Sequence, residues 1–200
     1  MQIPLSQPLF DEDEQREVAA VLKSGWVMQG PKVAELETAV REFVGTRWAV
    51  AVSSCSTALH LALRTLDLKA GDQVIVPSLT WIATAAAIEQ CGATPVFADI
   101  DRQTFNISVE RVESLITRHT RAVIAVNLFG LAAELPRLLE ICERRGIALI
   151  EDAACSLGAT VQGRPSGTFG RVGCFSFHPR KSITTGEGGM IVGNDPNDER

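Results

Sequence analysis

The chain alternates short apolar runs, rich in β-branched residues, with longer stretches in which apolar positions recur every three or four residues. That alternation predicts a mainly parallel sheet with helices packed on its faces. Seven runs read as strands: Arg47–Ser53, Gln73–Pro77, Thr94–Asp99, Arg121–Asn127, Ile147–Asp152, Val172–Phe177 and Gly189–Gly193. Between the first five lie helical segments at about 56–69, 80–91, 108–118 and 134–145, each long enough for a crossover between parallel strands.

Two further helices precede the sheet. Asp11–Lys23 opens on acidic residues and is closed by Gly25, while Pro31–Phe43 starts with proline in its first turn and is closed by Gly45. Only residues 178–188 separate the last two strands, and they carry no helical pattern. A parallel crossover takes about a dozen residues or more, so the seventh strand is expected to run antiparallel to the rest. No repeat, low-complexity segment or Gly/Ser linker divides the 200 residues, which close on the polar GNDPNDER. They read as one layered α/β domain, whole or cut from a longer polypeptide.

Charge and composition remove several function classes. Nineteen basic and 24 acidic residues give a net charge of −5 without a basic block, so neither nucleic acid nor an anionic membrane surface is an expected partner. Hydrophobic content of 46% with 22% charged residues is that of a soluble globular protein. No apolar run approaches the roughly 20 residues needed to span a bilayer. The N-terminal MQIPLSQPLFDEDEQ lacks a basic start followed by an apolar stretch, so no secretory signal is read and the expected address is the cytoplasm. The five cysteines, Cys55, Cys91, Cys142, Cys155 and Cys174, are odd in number, scattered and never spaced C-x-x-C. They read as buried thiols rather than a disulfide framework or zinc site. Tyrosine is absent and histidine occurs three times, which leaves carboxylates, lysines, hydroxyls and backbone dipoles to carry chemistry.

Open parallel sheets bind ligands beyond the carboxyl ends of their strands, and four polar places follow apolar runs there. Ser53-Ser54-Cys55-Ser56-Thr57 joins a strand to the helix ALHLALRTL, presenting N–H groups and hydroxyls at the positive end of a helix dipole, as a phosphate requires. Taken alone, such a turn is more often an ordinary Ser/Thr cap. Asp152 ends the run IALIED, where a carboxylate is costly unless a cation or donors meet it; alone, it is a common turn or cap residue. Lys181 lies in FSFHPRKSITTGEGG, where a single lysine is ordinarily solvated. Trp81 follows the second strand in PSLTWIATA and could simply pack in the core.

Two phosphate motifs are absent by spelling. Neither Gly25–Gly30 nor Arg180-Lys181-Ser182 completes the G-x-x-x-x-G-K-[ST] loop, and Gly186-Glu187-Gly188 has Ile191 where a dinucleotide fingerprint needs a third glycine. One cofactor does unite the four places. Pyridoxal 5′-phosphate needs a lysine for a Schiff base, a carboxylate beside its pyridine nitrogen, a dipole-rich phosphate cup and a flat group against its ring.

With those residues in hand, the sequence resembles the DegT/StrS family of sugar aminotransferases, a branch of the fold-type I pyridoxal-phosphate enzymes. The resemblance runs through GWVMQGPKVAELE, VSSCSTALHLAL, GDQVIVPSLTWIATA, GATPVFADID, IALIEDAACSLGA and GCFSFHPRKSITTGEGGM, the last two being the most specific. It implies a three-layer large domain with a seven-stranded sheet whose last strand is antiparallel. Residues 1–200 would then be the cofactor-binding domain, helices over 1–45 and the sheet with its helices over 46–200. The family's C-terminal small domain would lie outside the chain.

By position, the resemblance assigns Lys181 as the Schiff-base lysine and Asp152 as the partner of the pyridine nitrogen. It places Ser56 and Ser176, with the N–H groups of Cys55 and Thr57, at the phosphate, and Trp81 over the ring. Cys155 stands where Gln or His often approaches the cofactor's phenolic oxygen, and Ser182 replaces a frequent Asn. The implied reaction moves an amino group from an amino acid, usually L-glutamate, to a keto-sugar that is usually nucleotide-linked, in a homodimer. A pyridoxamine-phosphate dehydratase of the same family, which has His in place of the lysine, and a non-catalytic truncated binding or regulatory module are the competing readings.

Overall fold

The computed structural model describes residues 6–198, so the first five residues and the last two of GNDPNDER lie outside the described part. Asp11 caps helix α1 (Glu12–Ser24) through a reciprocal bond with Glu14, and Gly25 closes it in the left-handed conformation. Helix α2 (Pro31–Val44) begins on its proline and closes on Gly45. Then follow β1 (Trp48–Val52), α3 (Cys55–Arg64), β2 (Gln73–Pro77), α4 (Ile82–Gln90), β3 (Thr94–Ala98), α5 (Val109–Leu115), β4 (Thr120–Val126), α6 (Leu135–Arg145) and β5 (Ala148–Asp152). The chain closes with the short hairpin β6 (Thr160–Val161) and β7 (Arg164–Pro165), then β8 (Val172–Ser176) and β9 (Gly189–Gly193).

The seven predicted strands form one sheet in the order β1-β9-β8-β5-β4-β2-β3. Strands β3, β2, β4, β5 and β8 pair in parallel, and β9 runs antiparallel to both β1 and β8. The short connection before β9 is what forces that reversal. Helix ends are less faithful to the pattern. Helix α3 stops at Arg64 because Leu66 and Asp67 turn back onto Leu63 and Arg64, with Asp67 at a φ of 48°; α5 stops at Leu115, ahead of a turn in which Thr120 bonds back to Thr117. The β6–β7 hairpin is an addition: Gln162 and Gly163 both take positive φ, the backbone of a two-residue hairpin loop, although Gln is an unusual first residue for one.

Alternation along each strand divides the core. Val74, Val76, Ile124, Ile150 and Cys174 face α3 and α4, packing on Leu59, Leu63 and Ile88. Their neighbours Ile75, Val123 and Leu149 face α5 and α6, while Phe175, Met190 and Val192 face α2. Helices thus cover both faces of the sheet in three layers. Each fully buried leucine or isoleucine in these layers contributes about 1.5–3 kcal/mol relative to exposure. Among the described residues no helix is long and apolar enough to cross a membrane, and no cluster of metal-ligating side chains occurs.

Candidate active site

Strands β1, β2, β5 and β8 end on the same edge of the sheet, and β9 starts there. The turns that leave this edge form a cavity of about 450 Å³ whose lining includes Ser54–Ser56, Trp81, Thr84, Asp152, Ser176, Arg180, Lys181 and Glu187. Three other surface pockets lie beside the C-terminal end of α3, along α6 and at the starts of β4 and β5, and none of these residues lines them.

At the end of β1 the chain turns directly into α3. Ser54 is the N-cap: its Oγ accepts from the Thr57 N–H at 3.2 Å, and the hydroxyls of Ser53 and Ser54 approach Thr57 Oγ1 at 3.0 and 3.1 Å. The cap therefore uses one backbone N–H of this turn and leaves others free. The Thr57 N–H serves the cap, whereas the N–H groups of Cys55 and Ser56 make no hydrogen bond to protein among the described residues. Thr57 does not line the cavity, while Cys55, Ser56 and Ser176 do. Gly189, the first residue of β9, passes against this turn so closely that a Cβ would stand 2.4 Å from the carbonyl carbon of Ser54 and 2.6 Å from the nitrogen of Cys55.

Asp152 ends β5 and is 4% exposed. Its Oδ2 accepts from the Thr84 hydroxyl at 2.9 Å, which in turn lies 2.8 Å from the Thr80 hydroxyl, and its Oδ1 accepts from the Ala154 N–H at 3.2 Å. Burial pushes this carboxyl above the ordinary carboxylate range, opposed by the Thr84 and Ala154 donors and by the positive charge of Lys181. Thr84 belongs to the site although sequence reasoning passed over it. Its only signal was a threonine inside the apolar helix IATAAAIEQ, a position that mostly reports packing.

Lys181 sits in the β8–β9 connection, half-buried rather than solvated. The loop is held by Lys181 N–H to His178 O at 2.9 Å, by Thr184 Oγ1 to Phe177 O at 2.8 Å and by Thr185 N–H to the same carbonyl at 3.1 Å. Lys181 Nζ donates to the sulfur of Cys155 at 3.1 Å. Cys155 is half-buried, so it departs from the expectation of five buried thiols, which the other four satisfy. Ser182 is exposed. Trp81 is 75% exposed, so it is not a core residue; it heads α4 at the cavity wall.

Residues 8–200 match the model of the DegT/DnrJ/EryC1/StrS aminotransferase family. The chain belongs to this family. Among curated relatives, the GDP-perosamine synthase of Vibrio cholerae is 42% identical over 193 residues, covering 96% of this chain and 53% of the relative. Among solved structures, the aminotransferase TlmJ of Streptoalloteichus hindustanus superposes with a TM-score of 0.95 at 36% identity, covering 98% of this chain and 54% of that one. The GDP-4-keto-6-deoxy-D-mannose-3-dehydratase of E. coli, solved with bound hydrated pyridoxal phosphate, gives a TM-score of 0.94 at 36% identity over 98% of this chain and 52% of its own. The chain spans about half the length of the curated relatives it matches. The solved structures that this chain resembles thus include both an aminotransferase and a dehydratase on the same scaffold.

The residues fit pyridoxal phosphate on their own geometry. Cys55 and Ser56 offer unpaired N–H groups at a helix start, where a phosphate is favoured. Asp152 is a buried carboxylate with two donors and an open side toward the cavity, where a cationic ring nitrogen would meet its charge.

Proposed function

We propose that residues 1–200 are the cofactor-binding large domain of a pyridoxal-phosphate aminotransferase, a cytoplasmic homodimer whose small domain lies outside this chain. It moves an amino group from L-glutamate to a nucleotide-linked keto-sugar. The observation that carries the reading is the convergence of Lys181 and Asp152 on one cavity that Cys55 and Ser56, at the start of α3, also line. The GDP-perosamine synthase relatives make the guanosine-diphosphate-linked keto-sugar precursor of perosamine the first acceptor to assay.

The cofactor, when bound, supplies a conjugated cationic ring that accepts electron density from the bonds at the substrate's Cα. The remaining work falls to the chain. Lys181 Nζ would anchor the cofactor and, when its amine is free, would carry the proton at the substrate's Cα. Asp152, oriented by Thr84, would meet the cofactor's ring nitrogen and favour its protonated form. The N–H groups of Cys55 and Ser56 with the hydroxyls of Ser56 and Ser176 would hold the phosphate, and Trp81 would cover the ring. Cys155, in contact with Lys181, would approach the cofactor's phenolic oxygen. The exposed Trp26, Val27 and Met28 after α1, together with the absence of buried residues in α1, support a covering subunit.

Borohydride reduction after incubation with pyridoxal phosphate, followed by peptide mass mapping, tests the anchor. A phosphopyridoxyl label confined to Lys181 is the expected result. A folded chain left unlabelled there would favour the dehydratase or the non-catalytic module, and a lysine in place of the dehydratase's histidine already weighs against the former.

A further inference from the structure

The five thiols fall into two groups. Burial pushes Cys142 up to about 12 and raises Cys55, Cys91 and Cys174 above the ordinary thiol value, so little thiolate forms there near neutral pH. Cys155 is the half-buried thiol, and it touches a primary amine: Lys181 Nζ stands 3.1 Å from its Sγ. Transamination calls for that amine and asks no chemistry of the sulfur. A nucleophilic nitrogen is therefore held against the thiol that solvent oxidants reach.

We propose that hydrogen peroxide couples Cys155 to Lys181 through a sulfur–nitrogen bond whenever the lysine amine is free. In the first step the O–O bond of the peroxide breaks. The sulfur gives up two electrons, takes one oxygen to become a sulfenic acid, and the other oxygen leaves as water. In the second step the Lys181 lone pair attacks that sulfur and the S–O bond breaks. The departing hydroxide takes a proton from the nitrogen and leaves as a second water. One thiol, one amine and one peroxide thus give one S–N bond and two waters, and the chain is lighter by two hydrogens. A dithiol such as dithiothreitol restores thiol and amine and is itself oxidised to its disulfide.

Holding the amine in contact with the sulfur makes this capture effectively unimolecular, so it outruns further oxidation to the sulfinic acid. The bond would cap the nitrogen that anchors the cofactor, making loading dependent on the redox state, and a cofactor already on Lys181 would protect the pair. That consequence rests on the proposed function, whereas the bond itself rests only on the contact.

The test uses the cofactor-free full chain, treated with stoichiometric hydrogen peroxide, digested with trypsin without reductant and mass-mapped. Residues 146–171 form one tryptic peptide, because Arg164 precedes Pro165, and Cys155 is its one cysteine. The expected product joins it to the peptide that begins at Lys181, two hydrogens lighter than the separate pair and with cleavage after Lys181 lost. It should vanish on dithiothreitol treatment and be missing from Cys155→Ser. Accumulation of Cys155 sulfinic acid with Lys181 still cleaved by trypsin would overturn the proposal, as would the joined peptide persisting in Cys155→Ser. Borohydride labelling of untreated protein is scored separately: its absence would count against the cofactor and leave the cross-link standing. With labelling established, peroxide pretreatment should reduce it in proportion to the joined peptide, and undiminished label would overturn the redox dependence of loading.

Discussion

Glu151 and Asp152 are consecutive buried carboxylates at the end of β5 that point to opposite faces of the sheet. Asp152 looks toward α3, α4 and the cavity, where the Thr84 hydroxyl and the Ala154 N–H meet it. Glu151, fully buried, looks toward the loop that leads into β8. Its Oε1 accepts from the N–H groups of Phe169 and Gly170 at 2.6 and 2.8 Å, and its Oε2 from Gly167 N–H at 2.6 Å and Asn127 Nδ2 at 3.2 Å. One carboxylate is saturated by three backbone N–H groups and the Asn127 amide and builds the sheet edge; the other is left short of partners where a ligand would bind.

Glu151→Gln should be a stability variant. An amide in place of the carboxylate turns one acceptor oxygen into a donor that faces two N–H groups, leaving buried donors without acceptors. The cost should be about 2–3 kcal/mol, on the scale of unsatisfied buried groups, read from urea unfolding of the cofactor-free chain. Unfolding at the wild-type midpoint would mean that the four donors find other acceptors.

Asp152→Asn should act in the opposite sense on stability while impairing catalysis. Burial raises the Asp152 carboxyl, so the folded cofactor-free chain binds its proton more tightly than the unfolded chain does. That contribution is complete below the unfolded pKa and is lost as pH rises through the raised folded value. Wild type should therefore lose stability relative to the asparagine variant between acid and neutral pH, with the gap largest at pH 7 and closing on acidification. The half-reaction with L-glutamate should slow by roughly 100-fold, the scale of losing one preorganised electrostatic group. A gap that widens toward acid would contradict the burial argument.

The sheet was legible because each strand is a short apolar run bounded by turn residues, and the direction of β9 followed from the length of one loop. Helix ends and the β6–β7 hairpin were not, because they depend on individual backbone turns at Asp67 and at Gln162-Gly163 rather than on periodicity. In the site, Lys181, Asp152, Ser56, Ser176 and Trp81 carry distinct chemistry at strand ends, and the structure brings them to one cavity. Thr84 and Glu151 escaped notice for a physical reason. Each takes its meaning from partners in other elements, Asp152 in one case and the 167–170 backbone in the other, and a linear pattern cannot display such partners.

Gly189→Ala should separate cofactor binding from global folding only poorly, and that coupling is itself the prediction. The added Cβ meets backbone atoms of Ser54 and Cys55, which cannot rotate away as a side chain could. The start of α3 must move from β9, at a cost of about 1–3 kcal/mol typical of overpacking. Thermal unfolding should detect the loss, and affinity for pyridoxal phosphate should fall more than for Gly186→Ala. A Cβ added at Gly186 would meet no atom within 4 Å, so the penalty there comes from its φ of 86° alone.

Trp81 offers a spectroscopic reading of the bound ring. Of the three tryptophans, Trp48 is buried with its Nε1 donating to Asp195 O at 2.8 Å, and Trp26 donates to Gln29 O at 3.0 Å outside the cavity wall. Trp81 is the one that lines the cavity, so pyridoxal phosphate should quench chiefly its fluorescence. Trp81→Phe should abolish most of that quenching while retaining an aromatic cover, and so change cofactor affinity little. Trp81→Ala should leave stability within about 0.5 kcal/mol, as expected of an exposed side chain, but weaken cofactor binding by about 1 kcal/mol for the lost stacking. Quenching of wild-type size in Trp81→Phe would place the ring elsewhere, because neither remaining indole faces the cavity. Equal affinities for the Phe and Ala variants would remove the stacking role while leaving the Lys181 and Asp152 assignments to their own tests.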